Sequence, residues 1–313
     1  MSGNYKEFLK CVSESVKGIG GKTTEKIAEK IPSFKEFMEA NPEDFKKLVN
    51  KNSFGTLIKI RELLDSKITM EENWMRLIFL KFLYENMKSV KEKTDITTLH
   101  INPFLAKAMK LNKPEDIISF YIYQSIGRGL VTSMGNIFQK ISMIFGILKE
   151  TKQAGFDAEL DEGNGVTNFM QIKSGPDTLN VEMLRKLKDH IDYAKSQHPN
   201  CKTTLGLCYG TEEQVSSKIL TYLPGGIENV IIGKKFWELV TGQKDFDEVI
   251  FENIDSALKS FKEYCEVLGC EEGQVENDII EAINKQIDVI LKNWHESYGN
   301  GVDSVNKVIK GQM

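Results

Sequence analysis

The sequence has few histidines and no regular cysteine pattern, which excludes several kinds of site. None of the four histidines has a partner at metal-ligand spacing, so we assign them no chemistry. The five cysteines are odd in number, scattered and without a CxxC pair: Cys11, Cys201, Cys208, Cys265 and Cys270. This usage predicts a reducing environment, without disulfides or structural zinc.

Long apolar runs and a large excess of one charge are also missing. No stretch approaches the roughly 18 apolar residues of a membrane span, and the N-terminal MSGNYKEF lacks a signal-peptide pattern. We therefore expect a soluble, cytoplasmic protein with no membrane partner. The net charge of −4 argues against binding polyanions over the whole surface. It leaves room for a local basic groove, because steering depends on where charge lies.

The length and element pattern predict more than one structural region. A chain of 313 residues with 41% hydrophobic residues can form two or three small domains, or one large domain with an appendage. Strands and helices alternate over the middle of the chain, which predicts an α/β (α+β) fold with a mixed central sheet flanked by helices. We place a helical domain at 1–66, a core with leading helices at 67–250 and a helical extension at 251–313. The extension has heptad-like isoleucine spacing, so it either completes the core or forms a dimer interface.

A β-hairpin is the most informative stretch of the sequence. Residues 156–161 alternate as a strand does, Glu-Gly-Asn-Gly at 162–165 is typical of a turn, and 166–174 is rich in β-branched and aromatic residues. Residues two apart on a strand share a face, so Gln171 and Lys173 point the same way. Asp157 on the first strand can approach that face. Such a set of side chains can hold Mg²⁺ beside a polarised water.

A structural interpretation of the same hairpin stays open. Acidic turns followed by a strand with one lysine are common on solvated surfaces. The strand, however, stops abruptly at Ser174-Gly175-Pro176. This turn puts Lys173 at the strand end, where loops and ligands gather.

The pattern Asp157, Gln171-x-Lys173 resembles the PD-(D/E)xK nuclease core, with glutamine where an acid usually stands. The continuation at 174–180 and the segment at 232–242 resemble type II restriction endonucleases. The resemblance implies that Asp157, Gln171 and Lys173 are catalytic. It also implies that Asp157 and Gln171 hold Mg²⁺, for which Mn²⁺ substitutes.

Other side chains are candidates to supply the charge that Gln171 lacks. Glu159 and Asp161 follow Asp157 on the first strand. In the suspected superfamily, the helix before the core often presents a polar side chain to the metal. Gln139 has the matching position, with Glu150 as the alternative, and a solvated helix face is the competing interpretation for both.

The resemblance also implies the substrate and its partners. The expected reaction is hydrolysis of a phosphodiester in double-stranded DNA at a short palindrome, by in-line attack of a metal-activated water. Two equivalent half-sites call for a C2 homodimer. A cognate DNA methyltransferase would act on the same sequence without being a physical partner.

A glycine turn near the N-terminus resembles the helix–hairpin–helix motif. It has Gly18 and Gly20 between two helices, then Lys22 and Thr23 at the next helix start. Glycines let backbone approach a phosphate, and N–H groups at a helix N-terminus attract anions. A plain helix pair with a C-capping glycine is the alternative.

Further candidate DNA contacts lie beside the hairpin and on the helix before it. We expect that helical region, 114–152, to break at Gly127–Gly129, with residues 132–135 capping a second helix that runs to about 150. The candidate DNA-binding residues are Arg128, Lys140, Ser174 and Asn180. For Arg128 and Lys140 an ordinary surface role is equally compatible with the sequence.

Two other functions remain open. One is a structure-specific repair or junction nuclease, which uses the same chemistry on branched DNA. The other is an inactive DNA-binding relative, which the neutral Gln171 would favour.

Overall fold

The computed structural model describes residues 2–271 and 275–311, which form helices and one small sheet. The α-helices in the described residues are, in chain order, α1 (Ser2–Glu14), α2 (Gly21–Lys30), α3 (Phe34–Glu39), α4 (Pro42–Lys46), α5 (Lys51–Glu62), α6 (Met70–Lys91), α7 (Pro103–Ala108), α8 (Pro114–Phe145), α9 (Val181–Gln197), α10 (Ser217–Tyr222), α11 (Lys234–Thr241), α12 (Phe246–Val267), α13 (Ile279–Tyr298) and α14 (Val302–Gly311). The strands are β1 (Ala158–Asp161), β2 (Thr167–Lys173), β3 (Lys202–Leu207) and β4 (Val230–Ile232). The predicted α+β class is confirmed.

The chain divides into two compact units. We call Met1–Ser133 with Asp255–Met313 the helical unit, and Met134–Ile254 the sheet unit. The predicted domain limits remain a prediction, because a compact unit is defined by its contacts and a domain by its ability to fold alone.

In the helical unit, the N-terminal helices pack around an aromatic cluster. Phe8 meets Phe34 and Phe37 edge to face, with ring centroids 5.4 and 6.2 Å apart, and Phe37 meets Phe45 at 5.3 Å. Phe8, Phe37 and Phe45 are fully buried. Offset and edge-on ring pairs add to the hydrophobic gain of burial, so this cluster holds α1, α3 and α4 together.

The long helices of this unit also follow the apolar pattern of the sequence. Thr69 and Glu72 form a capping box at the start of α6, which ends at Lys91. The described part of the extension placed at 251–313 contains the end of α12, α13 and α14. Ile283 and Ile290 of α13 are buried, whereas Ile280 and Val289 are exposed, so one stripe of the helix faces the core.

The predicted break in α8 is wrong. The helix runs without interruption through Gly127–Gly129 and ends at Phe145. Two interior glycines cost about 1 kcal/mol each in a helix, which buried apolar residues along α8 offset. Thr132 and Ser133 do not cap a new helix: their hydroxyls donate to the carbonyls of Arg128 and Gly129 one turn back.

The sheet has the order β1-β2-β3-β4 and mixed direction. β1 and β2 pair antiparallel through the hairpin, with Ala158 opposite Met170. β2 and β3 pair parallel, with Lys173 opposite Leu207, and β3 and β4 also pair parallel. A parallel pair needs a crossover, which α9 supplies between β2 and β3.

Helices cover both faces of this sheet. One face carries a core from the hairpin, β3, β4, α9 and α10, consisting of Phe156, Phe169, Leu179, Leu184, Leu187, Ile191, Ala194, Leu205, Leu207, Val215, Ile219, Leu223, Val230 and Ile232. On the other face, α11 approaches β3 so closely that a Cβ on Gly206 would lie 2.6 Å from the Phe236 ring. The strand ends carrying Gln171 and Lys173 are therefore held from both sides.

Candidate active site

A tight turn brings the two strands of the hairpin together. Gly163, Asn164 and Gly165 all have positive φ angles, of 82°, 52° and 76°. Glycine and asparagine adopt this region at least cost, which is why the sequence EGNG turns here. The Asp161 carboxylate accepts a hydrogen bond from the Gly163 N–H at 2.9 Å. This turn sets the register that places Asp157 beside Gln171.

One oxygen of Asp157 is the centre of the site. Asp157 Oδ2 accepts hydrogen bonds from the Gln171 Nε2 amide at 2.5 Å and from the Ile172 backbone N–H at 2.7 Å. Lys173 Nζ lies 3.8 Å from the same oxygen. The Asp157 N–H also donates to the Met170 carbonyl at 2.9 Å, which holds the residue against β2. The three predicted catalytic side chains thus lie together.

The site is partly withdrawn from water. The Lys173 and Asp157 side chains are 25% and 24% exposed. Charges interact more strongly there than on an open surface, while one side remains accessible to a substrate. A cation, a carboxylate and an amide in such a place can bind and polarise an anionic group.

Two oxygens of the site suit a hard metal ion. Asp157 Oδ2 and Gln171 Nε2 make the contacts above. The other two atoms, Asp157 Oδ1 and Gln171 Oε1, have no hydrogen-bond partner among the described residues. Mg²⁺ prefers oxygen ligands and keeps several waters, so a pair of protein ligands at a partly open site fits it. No cluster of three or more His, Cys, Asp or Glu side chains arranged for a metal occurs within residues 2–271 and 275–311.

The other candidate ligands have different surroundings. Glu159 stands opposite Phe169 and lines a cleft with Lys152 and His198. The Asp161 carboxylate caps the hairpin turn. Gln139 lies one helical turn after Gly135, whose Cβ position is 3.6 Å from the Ser174 side chain. Residues four apart share a helix face, so Gln139 is on the side of α8 that approaches the end of β2.

Cys208 and Trp237 support the strand that carries Lys173, and the sequence pattern did not single out Cys208. The Cys208 N–H donates to the Lys173 carbonyl at 3.0 Å. The Trp237 indole N–H in turn donates to the Cys208 carbonyl at 2.8 Å. Burial, and next the nearby Asp157 carboxylate, raise the pKa of the Cys208 thiol far above its usual range. The thiol is therefore neutral and acts in packing.

Tyr209 is a second residue that the sequence pattern did not single out. Its N–H donates to the Ser174 carbonyl at 3.0 Å. Its ring lies on Gly175, where an added Cβ would be 2.3 Å from the ring carbon Cζ. Only the contact itself reveals the pairing, because the two residues are far apart in the sequence.

The remaining candidates in the sheet unit are divided between structural and open positions. Ser174 is half-buried at the end of β2. Asn180 caps α9, with its side-chain oxygen accepting from the Met183 N–H at 2.9 Å. Lys140 is exposed on α8. Arg128, on the part of α8 in the helical unit, is exposed as well.

The N-terminal glycine turn has a well-defined backbone. Gly18 has a φ of 89°, and its carbonyl accepts from Asn50 Nδ2 at 3.3 Å. Ser53 Oγ donates to the Lys17 carbonyl at 2.7 Å. Ser53 lies in the first turn of α5 and holds this glycine turn.

The start of α2 is open to solvent. Gly20 is its N-cap residue and makes no side-chain capping bond. Nothing lies within 4 Å of a Cβ added at Gly20. Lys22 is exposed and Thr23 half-buried. The Thr23 N–H donates to the Gly20 carbonyl at 2.9 Å, whereas Gly21 and Lys22 are exposed at the start of the helix.

Comparison with known families identifies the class to which this fold and site belong. A model of the family described as type II restriction endonuclease EcoO109I matches residues 72–262. The class is that of nucleases that cleave double-stranded DNA. Because the match covers more than half of the sequence, the chain belongs to the EcoO109I family of type II restriction endonucleases. No curated protein matches the chain significantly.

The family match confirms the resemblance to type II restriction endonucleases. The matched range includes the hairpin, and the catalytic roles of Asp157, Gln171 and Lys173 stay a prediction. Restriction endonucleases of this kind generally use divalent metal ions. Among the described residues, no helix is long and apolar enough to cross a membrane.

Proposed function

We propose that this protein is a Mg²⁺-dependent type II restriction endonuclease that hydrolyses double-stranded DNA at a short palindromic sequence, with Asp157, Gln171 and Lys173 as its catalytic residues. The observation that supports this most is the convergence of Gln171 and Lys173 on one oxygen of Asp157. On a hairpin that only faces solvent, we would not expect a cation, a carboxylate and an amide to converge at a partly buried strand end.

Asp157 and Gln171 would hold the metal through Asp157 Oδ1 and Gln171 Oε1. When bound, Mg²⁺ supplies Lewis-acid polarisation of a phosphate oxygen and of a water. Gln171 donates through Nε2 to Asp157 Oδ2, which leaves its carbonyl oxygen free to accept a bond or bind a metal.

Lys173 would stabilise the transition state. Its ammonium is held by Asp157 Oδ2 at 3.8 Å, which leaves N–H donors for a phosphate oxygen. Negative charge grows on the phosphoryl oxygens as the attacking and leaving oxygens exchange. A fixed cation already in position stabilises that charge without reorganisation.

Gln171 reduces the negative charge of the site compared with an acid at the same position. The amide therefore attracts a divalent cation less strongly, and it also repels a DNA phosphate less. Glu159, Asp161 and Gln139 remain proposed additional ligands. The neutral Gln171 is also the feature that favours the inactive DNA-binding alternative, which the experiment below distinguishes.

Contacts to the DNA backbone would come from Gly18, Gly20, Lys22 and Thr23, with Arg128, Lys140, Ser174 and Asn180 as further contacts. Support comes from the accessible start of α2 and from the exposed lysines and Arg128. A palindrome has two equivalent half-sites, so we propose a C2 homodimer in which each copy cuts one strand. A methyltransferase that modifies the same sequence would protect the host DNA.

The deciding experiment is a digest of fully sequenced, unmethylated DNA with Mg²⁺, with the fragment ends mapped. Discrete fragments that share one short palindrome, abolished by EDTA and restored by Mn²⁺, are the expected result. Cutting only at branched or nicked DNA would replace this proposal with a repair nuclease. Binding without cutting in either metal would identify an inactive relative.

A further inference from the structure

Tyr209 lies close to the proposed catalytic strand end. β3 ends at Leu207, opposite Lys173, and Tyr209 follows two residues later. The Cys208 N–H bonds the Lys173 carbonyl and the Tyr209 N–H bonds the Ser174 carbonyl, both at 3.0 Å. The backbone of Tyr209 is therefore fixed to the residue that directly follows Lys173.

The ring of Tyr209 packs directly on Gly175. The position of a Cβ on Gly175 is 2.3 Å from Cζ, 2.6 Å from Cε2 and 2.7 Å from the hydroxyl oxygen. Any side chain at 175 would overlap the phenol end of the ring. Glycine at this position thus lets the ring and its hydroxyl rest on the turn that ends β2.

Packing alone does not explain this tyrosine. The residue is 50% exposed, so half of a large aromatic group remains in solvent. Its hydroxyl has no hydrogen-bond partner among the described residues, although buried backbone lies directly beneath it. By contrast, Tyr121 and Tyr264, which are buried in the helical unit, use their hydroxyls on Asn102 and Ser15.

We propose that Tyr209 positions the DNA by donating a hydrogen bond from its hydroxyl to a backbone phosphate beside the bond that is cut. This inference rests on the proposed catalytic role of the Lys173 strand end. A neutral phenol suits this task because it can donate to a phosphate oxygen without competing with Lys173 for charge. Tyrosine is among the side chains that bind DNA phosphates in this way.

The contact differs from a lysine contact in a measurable way. A lysine that neutralises a phosphate releases a counterion, and its loss lowers the dependence of binding on salt by about one unit of slope. A phenol releases none. Loss of the Tyr209 hydroxyl should therefore weaken binding and leave the salt slope unchanged.

The test compares Tyr209→Phe with wild type on a short duplex that carries the cleavage site. Because Tyr209→Phe loses one hydrogen bond to a charged group, we expect its KM to rise about tenfold and its kcat to change less than about threefold. Tyr193→Phe is the matched control, because Tyr193 is 54% exposed on α9 of the same unit. It should equal wild type.

Gly175→Ala tests the contact between Gly175 and the Tyr209 ring. The φ of Gly175 lies outside the left-handed region, so alanine is acceptable to the backbone but its Cβ collides with the ring. We expect Gly175→Ala to raise KM as Tyr209→Phe does, because it displaces the hydroxyl. In the Tyr209→Phe background, Gly175→Ala should raise KM by less than it does in the wild-type protein.

The outcomes separate this inference from the function on which it rests. If Lys173→Ala is inactive and Tyr209→Phe has wild-type KM and kcat, the role of Tyr209 is overturned while the catalytic assignment stands. Wild-type KM in Tyr209→Phe with a lower melting temperature in Tyr209→Ala would make the ring structural only and also overturn it. If Lys173→Ala cleaves normally, the catalytic assignment itself fails.

Discussion

The hairpin of the sheet unit and the glycine turn of the helical unit are both short glycine-containing turns, but they expose different chemistry. At the hairpin, Gln171 and Lys173 converge on a carboxylate that is 24% exposed. At Gly18–Gly20, the side chains of Asn50 and Ser53 hold the carbonyls of Gly18 and Lys17, and both glycines are exposed. The proposed role of the first depends on side-chain identity, and that of the second on backbone shape. The hairpin should therefore be sensitive to changes of side chain, and the glycine turn to changes that restrict the backbone.

The largest expected effect is loss of cleavage on removing a hairpin side chain. Lys173→Ala should lower kcat by about 10²–10³, as removal of a preorganised charge-stabilising group typically does. Its melting temperature should remain near that of wild type, because Lys173 is at a strand end. Single-turnover cleavage and thermal unfolding measure the two properties.

Lys202→Ala is the matched control for this variant. Lys202 begins β3, is exposed and pairs with Glu162. Surface ion pairs contribute about 0–1 kcal/mol, so this variant should cleave at the wild-type rate. Equal rates for the two lysine variants would contradict the assignment of Lys173.

The second effect concerns the backbone of the glycine turn. Gly18→Ala should lower the free energy of unfolding by about 1–3 kcal/mol, because alanine is strained at positive φ. Its Cβ would also lie 2.8 Å from Ser53 Oγ. Gly20→Ala, at a φ of −109° in open space, is the control and should be close to neutral. Chemical denaturation compares them, and equal stability would argue against a backbone-shaped turn.

An intermediate effect is expected from Gln171→Glu. The added carboxylate faces Asp157 Oδ2 without metal, so the free energy of unfolding in EDTA should fall by about 1 kcal/mol. With Mg²⁺, a charged ligand should lower the metal concentration for half-maximal cleavage by about tenfold. If Gln171→Glu needs less Mg²⁺ for cleavage but is as stable as wild type in EDTA, the side chains at 171 and Asp157 do not contact each other in the metal-free protein.

The smallest effect is expected at a single phosphate contact of the glycine turn. Lys22→Ala should weaken DNA binding a few-fold and lower the salt slope by about one unit. Because it contributes charge rather than chemistry, kcat should not change. Binding titrations over a salt series provide the measurement. An unchanged slope would remove Lys22 from the DNA interface.

Local sequence signals predicted the hairpin closely. The turn chemistry at 162–165 and the run of β-branched residues led to a strand at 166–174, and β2 covers Thr167–Lys173. The apolar residues at 181–197 recur with the period of a helix, and α9 covers Val181–Gln197. In both segments the period of apolar residues agrees with the burial, so local preference and tertiary packing act in the same direction.

Features that depend on distant contacts were not predictable in this way. Two glycines near residue 128 indicated a break, but the buried residues of α8 keep one helix. The packing of Tyr209 on Gly175 requires the register between β2 and β3, two strands that are separated in the sequence by α9. The three proposed catalytic side chains could be predicted together because they lie within one hairpin. The hydrogen bonds through which Cys208 and Trp237 support them could not be predicted, because both residues come from later elements.

Trp237, whose indole N–H donates to the Cys208 carbonyl, gives the protein an intrinsic fluorescence probe. Of the three tryptophans in the sequence, Trp74 and Trp294 belong to the helical unit and Trp237 to the sheet unit. Trp237 is 2% exposed, and its indole is bonded to the carbonyl next to the Lys173 strand. With Trp74 and Trp294 replaced by phenylalanine, emission would come from Trp237 alone. A red shift of that emission would then report when water reaches the interior beneath the proposed catalytic strand.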